Sequence, residues 1–246
     1  PICKKSYVED LINGFDLLHI DPTKDPYVVG KVISMDVVLR RTVDLIEFVE
    51  KERISRNLPP IGYEVGTEET NGGLTSEESY ETFIKRLTEE LEKKNLPIPL
   101  FIVGQTGTLT RLTENVGHFS DENAKKLANI AKKYSIGLKE HNGDYLDDEI
   151  LLLHPAIGIT AMNVAPEFGA VETQSYLKLI DVENRLYKQG ILKSKSNLEK
   201  VLQEEAVKSE RWRKWMVGDK VNLAVEDALK DEKLTRLITE ISGHYT

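Results

Sequence analysis

The chain has 246 residues, of which 40% are hydrophobic and 30% charged, enough to bury one sizeable core. A formal net charge of -8 repels a phosphate backbone and an anionic membrane surface alike, so neither nucleic acid nor a membrane is expected as a partner. Cys3 is the single cysteine, which excludes an internal disulfide and a cysteine-based zinc site and fits a cytoplasmic location.

The first strand-like segment comes early, at Phe15 to Ile20, after a helical stretch from Ser6 to Asn13 that Gly14 stops. It ends in Asp21-Pro22, and the two-residue period of a strand puts His19 and Asp21 on one face. Ser34 to Arg53 reads as a covering helix, with apolar residues at Val37, Val38, Ile46 and Val49 between charges. Ile61 to Gly66 is the next strand, in which Glu64 and Glu68 share a face if the chain stays extended, and Glu68 follows Gly66-Thr67 at the exit. Thr75-Ser76-Glu77-Glu78 is helix-entry chemistry, so its two acids are assigned to the first turn of the helix that runs on to Lys94.

Pro99 to Gly104 is the third strand and leaves Gln105 at its exit, an amide suited to a hydroxylated ligand. Ser120 caps a helix to Tyr134, and His118 before it reads as exposed. Ile136 to His141 forms the fourth strand, with Lys139 and His141 on one face and a dense polar exit in Glu140, His141, Asn142 and Asp144. Ile157 to Val164 is the fifth, leaving Asn163 and Glu167 near its end. After a helix over Glu172 to Tyr187, Leu198 to Val207 and Val221 to Ile241 read as charged helices with no further strand. The tryptophans at 212 and 215 read as buried on an amphipathic helix face.

Strands alternating with helices imply an α/β fold with a parallel sheet. Five strands fall short of the eight that close a barrel, and the early first strand predicts a TIM-barrel-like fold that is incomplete, its first repeats lying upstream of Pro1. The division expected is a partial barrel over 1–190 and a helical C-terminal segment over 191–246.

The strand exits, taken in order, are HIDPT at His19, GTE at Gly66 to Glu68, VGQ at Val103 to Gln105, EHNGDY at Glu140 to Tyr145, and NVAPEF at Asn163 to Phe168. This series resembles the accessory-subunit family of class II tagatose-1,6-bisphosphate aldolase, whose relatives include tagatose and tagaturonate 4-epimerases. The resemblance implies a TIM-barrel-like fold, cytoplasmic carbohydrate metabolism, and a divalent metal, zinc first, near the barrel mouth. It places Glu68, His141 and His19 as metal ligands, Asp21 and Asp144 as acid-base groups, and Gln105, Asn163 and Glu167 against the substrate. The implied partners are a sugar or sugar phosphate and, in an oligomer, a catalytic aldolase subunit that this chain would stabilise without doing chemistry itself. Whether the chain is an enzyme, an aldolase-like lyase or a sugar 4-epimerase, stays open at this point. Two departures stand out. The family's early Asp-His strand end has no counterpart, and its Lys before Val-Gly-Pro is replaced by Asn163-Val164-Ala165-Pro166 with Glu167 following, which favours an unphosphorylated sugar or sugar acid.

Overall fold

The computed structural model describes residues 2–24, 33–67, 74–111, 113–216 and 218–244. Its centre is a five-stranded parallel sheet whose spatial order follows the chain: β1 (Leu17–Ile20), β2 (Gly62–Val65), β3 (Phe101–Gly104), β6 (Gly137–Glu140) and β7 (Ile159–Met162). One helix lies in sequence between each neighbouring pair: α2 (Met35–Ser55), α3 (Glu77–Lys93), α4 (Asp121–Lys133) and α5 (Asp148–Ile157). A parallel sheet that adds strands in chain order without reversal is the wiring of a barrel wall, so the fold is α/β and TIM-barrel-like over part of its circumference. The first helix, α1 (Ile2–Ile12), ends before Gly14, whose φ of +81° is the left-handed conformation glycine adopts freely.

The core is built by alternation. Leu18, Ile20, Tyr63, Val65, Ile102 and Leu138 point to one face of the sheet and are buried with Val43, Ile46, Ile84, Leu87 and Leu127 from the helices. The residues between them face the other way, and this sets the position of His19, Glu64 and Lys139. Ser76 and Ser120 cap α3 and α4 as expected, each accepting from the amide three residues on.

Two elements escaped the sequence. α5 carries the unbroken run Ile150 to Leu153 followed by His154-Pro155, which shows no amphipathic period and holds an internal proline. Pro155 has no amide to give the Leu151 carbonyl four residues before it, and the helix stops soon after, at Ile157, with Gly158 left-handed. The hairpin β4 (Thr110–Arg111) with β5 (Glu114–Asn115) is only two residues a side, too short for any periodic signal.

The chain divides into two compact units, 1–109 with 116–163, and 110–115 with 164–246. The second unit is helical apart from its hairpin: α6 (Pro166–Lys188), α7 (Leu198–Lys208), α8 (Val225–Lys230) and α9 (Glu232–Glu240). The helix expected over Val221 to Ile241 is therefore two, broken at Asp231, which caps α9 by accepting from the amide of Leu234. Its core gathers Val207, Trp212, Ala228, Leu234, Ile238 and Ile241. Trp212 is fully buried and donates from Nε1 to the carbonyl of Val207, whereas Trp215 is half-buried, and both sit on a 3-10 turn rather than an α-helix. Among the described residues no helix is long and apolar enough to cross a membrane.

Candidate active site

Strands β1, β2 and β6 each send a charged side chain to the face of the sheet away from the helices. His19 stands in register with Glu64 across the β1–β2 pair, and its Nδ1 lies 2.6 Å from Glu64 Oε1. The other carboxylate oxygen of Glu64 accepts from the ammonium of Lys139, which reaches it from β6 across β3. Beyond the end of β1, Asp21 Oδ2 lies 3.8 Å from His19 Nε2, a distance at which it acts through charge rather than through a hydrogen bond. The result is a chain of alternating charge, Lys139, Glu64, His19 and Asp21.

His141 follows β6, and its ring centroid is 5.6 Å from that of His19. Its exit turn is held tightly. The His141 carbonyl accepts from Thr108 Oγ1 at 2.7 Å, Asn142 Nδ2 donates to the Thr108 carbonyl, and the Gly143 amide donates to the Asn163 carbonyl. Asn142 and Tyr145 are left-handed at φ +56° and +57°. A Cβ on Gly143 would come within 2.1 Å of Met162, so only glycine lets the turn lie this close to β7. Gly66 does the same on β2, where a Cβ would meet the Asp21 carboxyl at 2.7 Å.

The two imidazoles are driven in opposite directions. Burial works against a charged His19, but the carboxylates of Asp21 and Glu64 outweigh it and raise the ring to about 9. Burial lowers His141 to about 4, and repulsion from His19 and Lys139 adds to the effect. Both carboxylates resist burial because their neighbours hold them ionised: Asp21 falls to about 2 beside the His19 charge and with Thr23 as donor, and Glu64 to about 2 beside the His19 charge and with Lys139 as donor. Near neutrality a protonated and a neutral imidazole therefore sit side by side, the arrangement that assigns an acid and a base.

The shifts fix a pH dependence. His19 holds its proton in the folded metal-free protein between its ordinary 6.5 and about 9, so its stabilisation is fully present below pH 6.5 and lost as pH rises through 9. The side chain is about a third exposed, and with that screening we expect a loss of about 1–2 kcal/mol. Denaturant melts of EDTA-treated protein at pH 6.5 and 9.5 measure it, and H19Q removes it. His141 acts on the other limb, where stability falls as pH drops from 6.5 through about 4.

The other residues singled out from sequence are placed as follows. Asp144 is buried at the β6 exit and Asn163 is half-buried, with backbone bonds to Glu140 and Gly143. Asp21 also closes a local turn, accepting from the amide and hydroxyl of Thr23. The Gln105 backbone bonds Thr75 and Asn123. Glu167 lies in the first turn of α6, in the second unit. Glu68 lies outside the described residues. Glu64 and Lys139 join the cluster through the register of the sheet; the sequence shows only that Lys139 shares a face with His141 and Glu64 with Glu68.

Among the described residues no group of three or more His, Cys, Asp or Glu side chains is arranged to hold a metal ion. His141 Nε2 does suit an ion: it is buried with no hydrogen-bond partner among the described residues, on a ring kept neutral as a ligand must be.

A parallel strand-helix sheet with a charged cluster at one face defines a TIM-barrel-like architecture, and the solved structures share that fold. A probable tagatose 6 phosphate kinase from Sinorhizobium meliloti 1021 superposes with a TM-score of 0.65 at 16% identity, over 96% of this chain and 62% of that one. The fructuronate-tagaturonate epimerase UxaE from Cohnella laeviribosi, in a glycerol complex, superposes with a TM-score of 0.52 at 12% identity, over 98% of this chain and 57% of that one. The chain thus spans about three fifths of the length of the structures it matches, and shares their fold. Both are named for tagatose or tagaturonate chemistry, the group to which the strand exits pointed. No protein-family model and no curated protein matches the sequence.

Proposed function

We propose that the chain belongs to the machinery of carbohydrate metabolism and acts on the open-chain form of a ketose or ketose phosphate, by aldol cleavage or 4-epimerisation. The observation that carries this reading is the convergence of His19, Glu64, Lys139 and His141 from three strands on one face, with the two imidazoles held in opposite protonation states. Both reactions break the bond between C3 and C4 of the sugar after the C4 hydroxyl loses its proton, and both leave an enediolate. Epimerisation differs only in that the bond re-forms on the other face of the aldehyde.

His141 and Glu68, with His19 once binding displaces its proton, are the residues that would hold a divalent metal, zinc first, which when bound would polarise the ketose carbonyl. Asp21, ionised at the strand end beside His19, accepts the hydroxyl proton. Lys139 and its partner Glu64 keep a cation close to where negative charge develops while the site stays neutral overall. Asp144, Gln105 and Asn163 complete the set, as groups for proton transfer and for hydroxyl recognition. In the sequence, Asn163 stands in place of a family lysine and Glu167 follows, which favours unphosphorylated sugars and sugar acids.

The test is turnover of the wild-type protein on a panel of ketoses, ketose phosphates and ketouronates, with and without added zinc or manganese. Metal-dependent epimer or triose formation is the result expected. Absence of both, with no metal bound by elemental analysis, removes the reading. A second reading makes the chain a non-catalytic subunit that binds and stabilises a partner aldolase. It draws on the direct pairing of Glu64 with Lys139, which ties two site charges to each other, and co-purification with an aldolase tests it.

A further inference from the structure

On the opposite side of β6 from Lys139, the chemistry proposed above leaves a second charged pair unused. Glu140 is fully buried and faces α5, where His154 is also buried. His154 Nε2 is 2.7 Å from Glu140 Oε2 and Nδ1 is 2.5 Å from the carbonyl of Ile150. A carboxylate and a carbonyl only accept, so both ring nitrogens donate and the ring cannot rotate without losing a bond. Phe119 stacks on it, centroids 5.1 Å apart and planes 17° apart, and closes the remaining freedom. The second oxygen, Glu140 Oε1, has no hydrogen-bond partner among the described residues, so the carboxylate depends on His154 alone for its side-chain bond. Keeping two polar groups in an apolar layer where a leucine would fit calls for a reason beyond stability, because such pairs contribute little to it.

That reason lies one residue on. The Glu140 carbonyl accepts from the Asn163 amide, the Gly143 amide returns to the Asn163 carbonyl, and between these two bonds the chain makes the left-handed turn that carries His141. The backbone of residue 140 is thus the last fixed point before His141. Its side chain is fastened to α5 and its carbonyl to the β7 exit. We propose that His154 is a positioning residue: through Glu140 it clamps the carboxyl end of β6 to α5 and so sets where the His141 imidazole stands. It does not touch the face on which the reaction is placed. The inference rests on the reading of His141 as a working group of the site, but its test needs no turnover.

Hydrogen exchange and histidine NMR on the whole chain decide it. The variant E140L/H154F removes both partners together and leaves no buried charge unpaired. The expected result is a fold that melts near the wild-type temperature, in which the amides of Gly143 and Asn163 exchange at least about ten-fold faster while those of β3 and α3 do not change. The His141 ring resonances shift as well. The conservative variant E140Q, which keeps an acceptor for His154, retains wild-type exchange and wild-type His141 resonances. Wild-type protection in E140L/H154F means the pair only fills space, and uniformly faster exchange across the sheet means it only stabilises; either overturns the proposal. Should the double variant fail to fold, H154Q is read by the same criteria. A His141 shift with faster exchange at Gly143 and Asn163 but unchanged turnover would count against the proposed function and leave the clamp standing, so the two failures are distinguishable.

Discussion

Replacing Glu64 by leucine lowers the stability of the sheet unit by about 3–5 kcal/mol, the largest single effect expected anywhere in the site. The reason is the charge it leaves behind. Lys139 is 9% exposed at its side chain and Glu64 7%, and the ammonium of Lys139 donates its hydrogen bond to Glu64. Without the carboxylate, that ammonium is a buried cation beside His19, which has itself lost its nearest anion. At about 2–4 °C per kcal/mol for a chain of this size, the melting temperature falls by about 6–20 °C. The double variant E64L/K139M recovers most of this loss, because removing both charges leaves an apolar contact of similar volume and Asp21 still faces His19. Thermal melts of the wild type, both single variants and the double variant form the cycle that checks it. A double variant no more stable than E64L would show that the two side chains do not depend on each other.

Replacing His141 by alanine has the largest expected effect on chemistry. Its Nε2 is a buried ring nitrogen without a hydrogen-bond partner among the described residues, and burial with two neighbouring cations keeps it neutral. On the proposed function the variant loses turnover by about 10²–10⁴-fold, the range for removing a positioned catalytic group, and its affinity for zinc falls in parallel. The fold is retained, because the turn around residue 141 is held by its backbone and by Thr108, Asn142 and Asn163 rather than by the ring. Circular dichroism, zinc titration and turnover on the active substrate of the panel separate these effects. Unchanged zinc binding and unchanged turnover would make the ring structural.

How much of this was legible in the sequence follows from the distance over which each signal acts. The five strands and their order were legible because each is a short apolar run closed by a polar exit, and the caps at Ser76 and Ser120 because capping is local. His19, Asp21 and His141 stood out as polar groups at strand ends. Glu64 and Lys139 did not, because a charge inside a strand acquires meaning only when the register is known, and no local pattern says that residue 19 lies beside residue 64 or that Lys139 reaches across β3. α5 was missed because Leu151, Leu152 and Leu153 in succession erase the helical period and Pro155 argues against a helix. With it went the partnership of Glu140 and His154, since the histidine had no element to stand on. Asp21 was legible as a strand-end carboxylate beside His19, but not its second part, closing the local turn with Thr23.

The pairing of two histidines from distant strands in one charged cluster is the claim on which the rest depends. Its most direct test is an NMR titration of the imidazole resonances of His19 and His141 in metal-free protein, assigned with H19Q and H141A. The structure predicts one ring that keeps its proton to about pH 9 and one that gives it up near pH 4, with H19Q raising His141 toward its ordinary value because the neighbouring charge is gone. Two rings that both titrate near the ordinary 6.5, each indifferent to loss of the other, would contradict it.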